Sequence, residues 1–179
     1  MNRNYQQVAG VIAGMLLFSG SLRAADIPVT ITVTVLEPVC TVTDLSGNSR
    51  TEVDFGTVPV TGVNGAAAIR DLDMRVSCDG AAPSGKTLKM QVSAGAGGTI
   101  SYGGGRVLGT SLSGLGIRLT DSAGQAVPPG SWTAVTGVTT PADAPTGAVK
   151  LKAGLVSETV STLKGGDFTS SASVVMAYQ

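Results

Sequence analysis

The 179-residue chain contains no histidine, only two cysteines and one tryptophan, and just 4% aromatic residues. Without histidine, neither a Ser-His-Asp nor a Cys-His catalytic arrangement can be built, and histidine-ligated metal sites are excluded. Two cysteines alone are a poor ligand set for zinc, so neither a metal nor a cofactor is expected. Charge is sparse at 13%, and the twelve basic side chains are balanced by twelve acidic ones. Such a balance gives no reason to expect nucleic acid or an anionic membrane as partner. The glycines at Gly103–Gly105 are not followed by Gly-Lys-Ser/Thr, so they form no phosphate loop. Asp71 and Asp73 are the only close carboxylate pair inside a predicted strand, and their spacing puts both on its polar face, where solvation accounts for them. No other acidic pair is singled out for glycosidase chemistry. Trp132 and Tyr102 could line a sugar site, but with so few aromatics in the chain packing or incidental exposure is the favoured account of them. An enzyme is not expected.

What the chain does contain begins with a leader. Arg3 lies in a short polar start, the apolar run Val8–Phe18 follows, and small residues lead into Leu22-Arg-Ala-Ala25. This is the layout of a secretory signal peptide, with cleavage expected after Ala24. A transmembrane anchor is the alternative, but the run falls well short of the roughly 20 residues needed to cross a bilayer. Removing residues 1–24 takes away Arg3 and Arg23 and leaves ten basic against twelve acidic side chains. Both cysteines, Cys40 and Cys78, survive in the exported part. They fit one disulfide in an oxidising compartment, with two free thiols as the alternative.

The remainder is rich in Gly, Ser, Thr and Val and reads as short strands joined by turns. In Asp26–Val35 the apolar residues Ile27, Val29, Ile31, Val33 and Val35 alternate with Pro or Thr. Period two over nine residues predicts a strand with one apolar face, and Pro28 suits an edge or a strand start. Val53–Val58 reads as a short strand interrupted at Gly56. Asp71–Cys78 places Leu72, Met74, Val76 and Cys78 on one face, and Thr87–Val92 aligns Leu88, Met90 and Val92. The glycine-rich stretch from Gly95 to Gly116 is expected to hold turns and a short edge strand. Ile117–Thr120 leads into the polar turn Asp121–Gly124, expected to join two strands. Val149–Leu155 alternates with Lys150 and Lys152 on its polar side. The final segment alternates through Phe168, Ser170, Ala172, Val174, Met176 and Tyr178, one residue before Gln179. Regularly spaced short strands of this kind predict an all-β sandwich or small barrel.

In its two terminal segments the chain resembles the pilins assembled by the chaperone–usher pathway, the subunits of type 1 and P-like fimbriae. The residues that carry the resemblance are the alternating extension at Ile27–Val35, Cys40 followed by Thr-Val-Thr, and Cys78. To these are added Gly166, fourteenth from the last residue, and the penultimate Tyr178 preceded by alternation from Phe168. The resemblance implies an all-β, incomplete immunoglobulin-like β-sandwich that lacks its last strand and is completed by a donor strand. It divides the chain into a signal peptide (1–24), an N-terminal donor-strand extension (25–37) and a pilin domain (38–179).

Several expectations follow from that likeness. Ile27, Val29, Ile31, Val33 and Val35 would be the donor residues. Gly166, Phe168, Ala172, Val174, Met176, Tyr178 and Gln179 would border the acceptor groove and bind the periplasmic pilus chaperone, which would grip the Gln179 carboxylate. An outer-membrane usher and neighbouring pilin subunits would be the later partners, with the product displayed on the cell surface in the fimbrium. Position in the fibre would be that of a minor or adaptor subunit. One departure bears on pairing: many extensions of that family have glycine seven residues before the first cysteine, where this chain has Val33. That implies either a wider cognate groove or a shifted register. The competing expectation is a self-contained secreted β-sandwich, binding carbohydrate or protein, whose N-terminal strand folds into its own domain.

Overall fold

The structure, a computed structural model, describes residues 38–136, 138–139 and 146–179. The alternating segment Ile27–Val35 lies outside the described residues. Among the described residues ten strands follow in chain order: β1 (Cys40–Thr43), β2 (Ile69–Cys78), β3 (Leu88–Ala94), β4 (Thr99–Tyr102), β5 (Gly105–Gly109), β6 (Gly116–Asp121), β7 (Trp132–Ala134), β8 (Val138–Thr139), β9 (Thr146–Val156) and β10 (Ala172–Tyr178). A large sheet runs β1-β2-β9-β6-β5-β4, with β8 also alongside β9, and a small sheet runs β10-β3-β7. All the pairings are antiparallel.

The alternation in the sequence is what sorts side chains between core and solvent. Met74, Val76 and Cys78 of β2 are buried, as are Val149, Leu151, Ala153 and Leu155 of β9. Each such large apolar side chain contributes about 1.5–3 kcal/mol by leaving water. On the opposite face Asp71 is registered against Lys152 and Asp73 against Lys150, a cross-strand pairing of unlike charge that favours this register. The carboxylate pair is therefore part of a solvated sheet face. From the small sheet, Met90, Val92, Met176 and Tyr178 face the same core.

Three stretches differ from the sequence expectation. Val53–Val58 forms no strand and instead runs along one margin of the large sheet, with Phe55 buried in the core. The glycine-rich stretch holds a full hairpin, β4–β5, rather than a single edge strand. Glycine is required there because backbones meet: a Cβ on Gly97, whose φ is +94°, would lie 2.6 Å from the Gly109 carbonyl oxygen. Asp121–Gly124 does form the expected turn, its Oδ1 accepting from the Ala123 and Gln125 N–H groups at 2.9 and 2.8 Å. The returning chain makes only an isolated bridge, Thr120 to Ala126. The local signal for a turn was present, but the strand after it is too short to form a ladder.

Candidate polymerisation groove

The C-terminal strand determines the site. Its inward-facing residues run large, small, large: Phe168, then Ser170, Ala172 and Val174, then Met176 and Tyr178. β10 pairs with β3 from Ala172–Ala94 to Tyr178–Leu88. Gln179 continues the ladder, exchanging two backbone hydrogen bonds with Thr87 at 2.9 and 3.0 Å. At this end the sandwich is closed. Met176 and Tyr178 are buried, and the Tyr178 hydroxyl donates to the Gly80 carbonyl at 2.9 Å. Burial, with the Asp79 charge nearby, raises the Tyr178 pKa above the usual phenol value.

β1 is fixed beside that closed end. Cys40 and Cys78 are register partners and form a disulfide with Cα atoms 4.0 Å apart. One residue before it, the Val39 N–H donates to Asp79 Oδ1 at 2.7 Å and the Asp79 N–H donates to the Val39 carbonyl at 3.1 Å. Past β1 the chain turns on Asp44, whose carboxylate accepts from the Ser46 and Asn48 N–H groups and the Asn48 amide at 2.7–2.8 Å. The hydrogen bond from the Asn48 side chain, with those from the backbone, holds its pKa below the ordinary carboxylate range.

Beyond Met176 the small wall residues leave the sandwich open. A trough of about 1000 Å³ lies between residues 168–174 on one side and Val42, Thr43 and residues 49–55 on the other. Its floor is apolar: Leu72, Met74, Val92, Leu108, Ile117 and Leu119. Among the described residues β1 pairs only with β2, and β10 only with β3, so each sheet presents an edge to the opening. An edge has unpaired backbone donors and acceptors, which an extended segment can satisfy, while alternate side chains of that segment enter the trough.

The sequence-predicted groove residues occupy graded positions along this wall. Tyr178 and Met176 are buried at the closed end, Val174 and Phe168 are half-buried, Ala172 is exposed in the opening, and Gln179 is exposed. Gly166 is exposed and lies ahead of the strand, near Leu112. The predicted strand from Phe168 is regular only from Ala172: Ser171 still accepts from the Gly95 and Ala96 N–H groups just past β3, but Thr169 and Ser170 bond instead to Ser111 and Gly109. Missed from the sequence were Phe55 and the margin 49–55. Their only signal was the apolar alternation at Val53 and Phe55, read as an ordinary strand. Trp132 is in the small sheet and Tyr102 in the large one, and neither borders the trough. No buried side-chain polar atom among the described residues lacks a partner, and no group of acidic or cysteine side chains among them is arranged to hold a metal ion.

The architecture is that of an incomplete immunoglobulin-like sandwich, with an open groove where a further strand would close the two sheets. The chain belongs to the fimbrial protein family: the family model described as "Fimbrial protein" matches residues 29–179. Solved structures agree with the fold. The P pilus rod subunit PapA is 20% identical, with a TM-score of 0.54 over 85% of this chain and 100% of that one. The P pilus adaptor subunit PapF, solved for the determinants of its polymerisation reactivity, is 25% identical, with a TM-score of 0.52 over 82% of this chain and 100% of that one. A chaperone–usher pilus structure bearing on rod uncoiling is 19% identical, with a TM-score of 0.54 over 87% of this chain and all of that one. No curated protein matches the chain significantly. The protein is a structural, non-enzymatic subunit of a cell-surface pilus, polymerising by donor-strand complementation in the manner of this family.

Proposed function

We propose that residues 1–24 are a signal peptide, that residues 25–37 are the donor extension, and that the trough of one copy accepts the extension of the next subunit. Ile27, Val29, Ile31, Val33 and Val35 supply the apolar face, and the wall from Phe168 to Val174, closed off by Met176 and Tyr178, receives it. The observation that carries this reading is the apolar trough between two sheet edges that are unpaired among the described residues. Before assembly, a periplasmic chaperone covers the groove and contacts Gln179, and an outer-membrane usher oversees its replacement by a neighbouring subunit. Family membership supports a chaperone–usher system as the setting. Likeness to an adaptor subunit at 25% identity supports a minor or adaptor position in the fibre.

The test is strand exchange with a synthetic peptide of residues 26–38 and the chaperone-bound subunits of the same system. Donor-strand assembly requires the peptide to displace the chaperone from at least one of them. Deleting Ile27–Val35 should leave a subunit that still binds chaperone but enters no neighbour. A self-contained sandwich gives the reverse: no displacement, and loss of folding on deletion. That pair of results would overturn the proposal.

A further inference from the structure

The two ends of the trough are closed by different means. Toward the disulfide, Met176 and Tyr178 are buried in the core. At the far end Phe168 meets Phe55, ring centroids 6.0 Å apart and planes at 51°. Phe55 is only 6% exposed and is braced by Arg70. That guanidinium lies 6.0 Å from the ring centroid and donates to the Phe55 carbonyl at 2.6 Å. The backbone beside Phe168 is fixed as well: the Thr169 N–H donates to Ser111 Oγ at 2.9 Å, and the Ser111 N–H donates to the Thr169 carbonyl at 2.8 Å.

Length then limits what the groove can hold. On the wall, the open interval lies between the side chains of Phe168 and Met176. A neighbouring strand places one inward side chain every two residues, about 6.6 Å apart. If its positions stand level with the wall residues, three fall between the two large side chains; if staggered by one residue, four do. The alternating run offers five, Ile27 to Val35, over as many residues as separate Phe168 from Met176 on the wall. A fifth side chain would therefore meet the Phe168 ring or the closed end at Met176.

We propose that Phe168, held against Phe55, is an end stop that limits the groove to four donor side chains and so sets which register a donor adopts. The inference rests on the donor-strand reading above, with the extension of one copy entering the groove of another copy of this chain. One terminal residue of the five, Ile27 or Val35, then stays outside.

The experiment uses the full subunit in its periplasmic chaperone complex, loaded with fluorescent peptides of residues 26–38, and measures peptide dissociation. Ile27→Ser or Val35→Ser, one of the two, should change the rate by less than twofold. Serine at the other end or at Ile31 should accelerate it more than tenfold. In Phe168→Ala the silent end should become sensitive, by fivefold or more. Sensitivity at both ends in the unaltered subunit overturns the end stop, and this arm needs no substitution in the domain. A silent end that stays silent in Phe168→Ala overturns it too. Failure of the unaltered peptide to load onto any subunit refutes the donor-strand reading itself, and the end stop with it.

Discussion

Replacing Ala172 with leucine should separate the stability of the domain from its capacity to accept a strand. Ala172 is exposed in the trough wall between Ser170 and Val174, with Ala94 as its cross-strand partner. Leucine would add three carbons over the apolar floor. In the empty domain, covering that floor yields about 0.8 kcal/mol per buried methylene, less about 0.5–1 kcal/mol of side-chain entropy. The net effect on the empty domain is neutral to about 1.5 kcal/mol stabilising. A docked donor strand would find the same volume occupied, and overpacking costs about 1–3 kcal/mol. Donor affinity should therefore fall by about 5- to 150-fold, since about 1.4 kcal/mol is a factor of ten. Dissociation of a labelled peptide of residues 26–38 measures the second effect, and urea denaturation of the peptide-free domain measures the first. Val175→Leu, on the solvent side of the same strand and 50% exposed, is the control and should change neither. An Ala172→Leu subunit that binds the peptide within threefold of the unaltered one would refute the assignment of this wall to the groove.

Breaking the Cys40–Cys78 bond, by Cys40→Ala with Cys78→Ala, opens a loop of 38 residues and should cost about 4 kcal/mol on the chain-entropy estimate. An unchanged denaturation midpoint would contradict it. Tyr178→Phe removes the hydroxyl bond to Gly80 and should cost about 1 kcal/mol, read as a lower melting temperature. Because the folded phenol pKa is raised, the stability it carries is fully present below about pH 10, the unfolded value. It is lost as pH rises through the higher folded value. The alkaline loss should therefore shrink in Tyr178→Phe, and an unaltered alkaline profile would argue against it. Asn64 has φ +67°, and its side chain exchanges hydrogen bonds of 2.9 Å each with the backbone of buried Ser157. Asn64→Ala should destabilise by about 2–4 kcal/mol through the lost bonds and the left-handed backbone. Asn64→Gly should recover only the backbone part, and equal melting temperatures for the two variants would disprove that division.

The sequence by itself determined the parts of this protein that depend on local periodicity. A side-chain period of two decides which residues of β2, β9 and β10 face inward, because a slip by one residue would bury Asp71, Lys150 and Lys152. It also determined the groove's wall, since a run of Ser170, Ala172 and Val174 between Phe168 and Met176 cannot fill the space that larger neighbours fill. The tertiary structure alone decided where that wall faces. Nothing local marks residues 49–55 as the opposite margin, because they form no ladder and take their position from contacts such as Arg70 on the Phe55 carbonyl. Nor does periodicity reveal that Phe55 meets Phe168, that Gly97 must pass close to Gly109, or that Asn64 clips Ser157. In each case the partners are far apart in the chain, and strand propensity carries no information about them. What brings them together is the burial of two sheets against each other, a cooperative choice made by the whole domain.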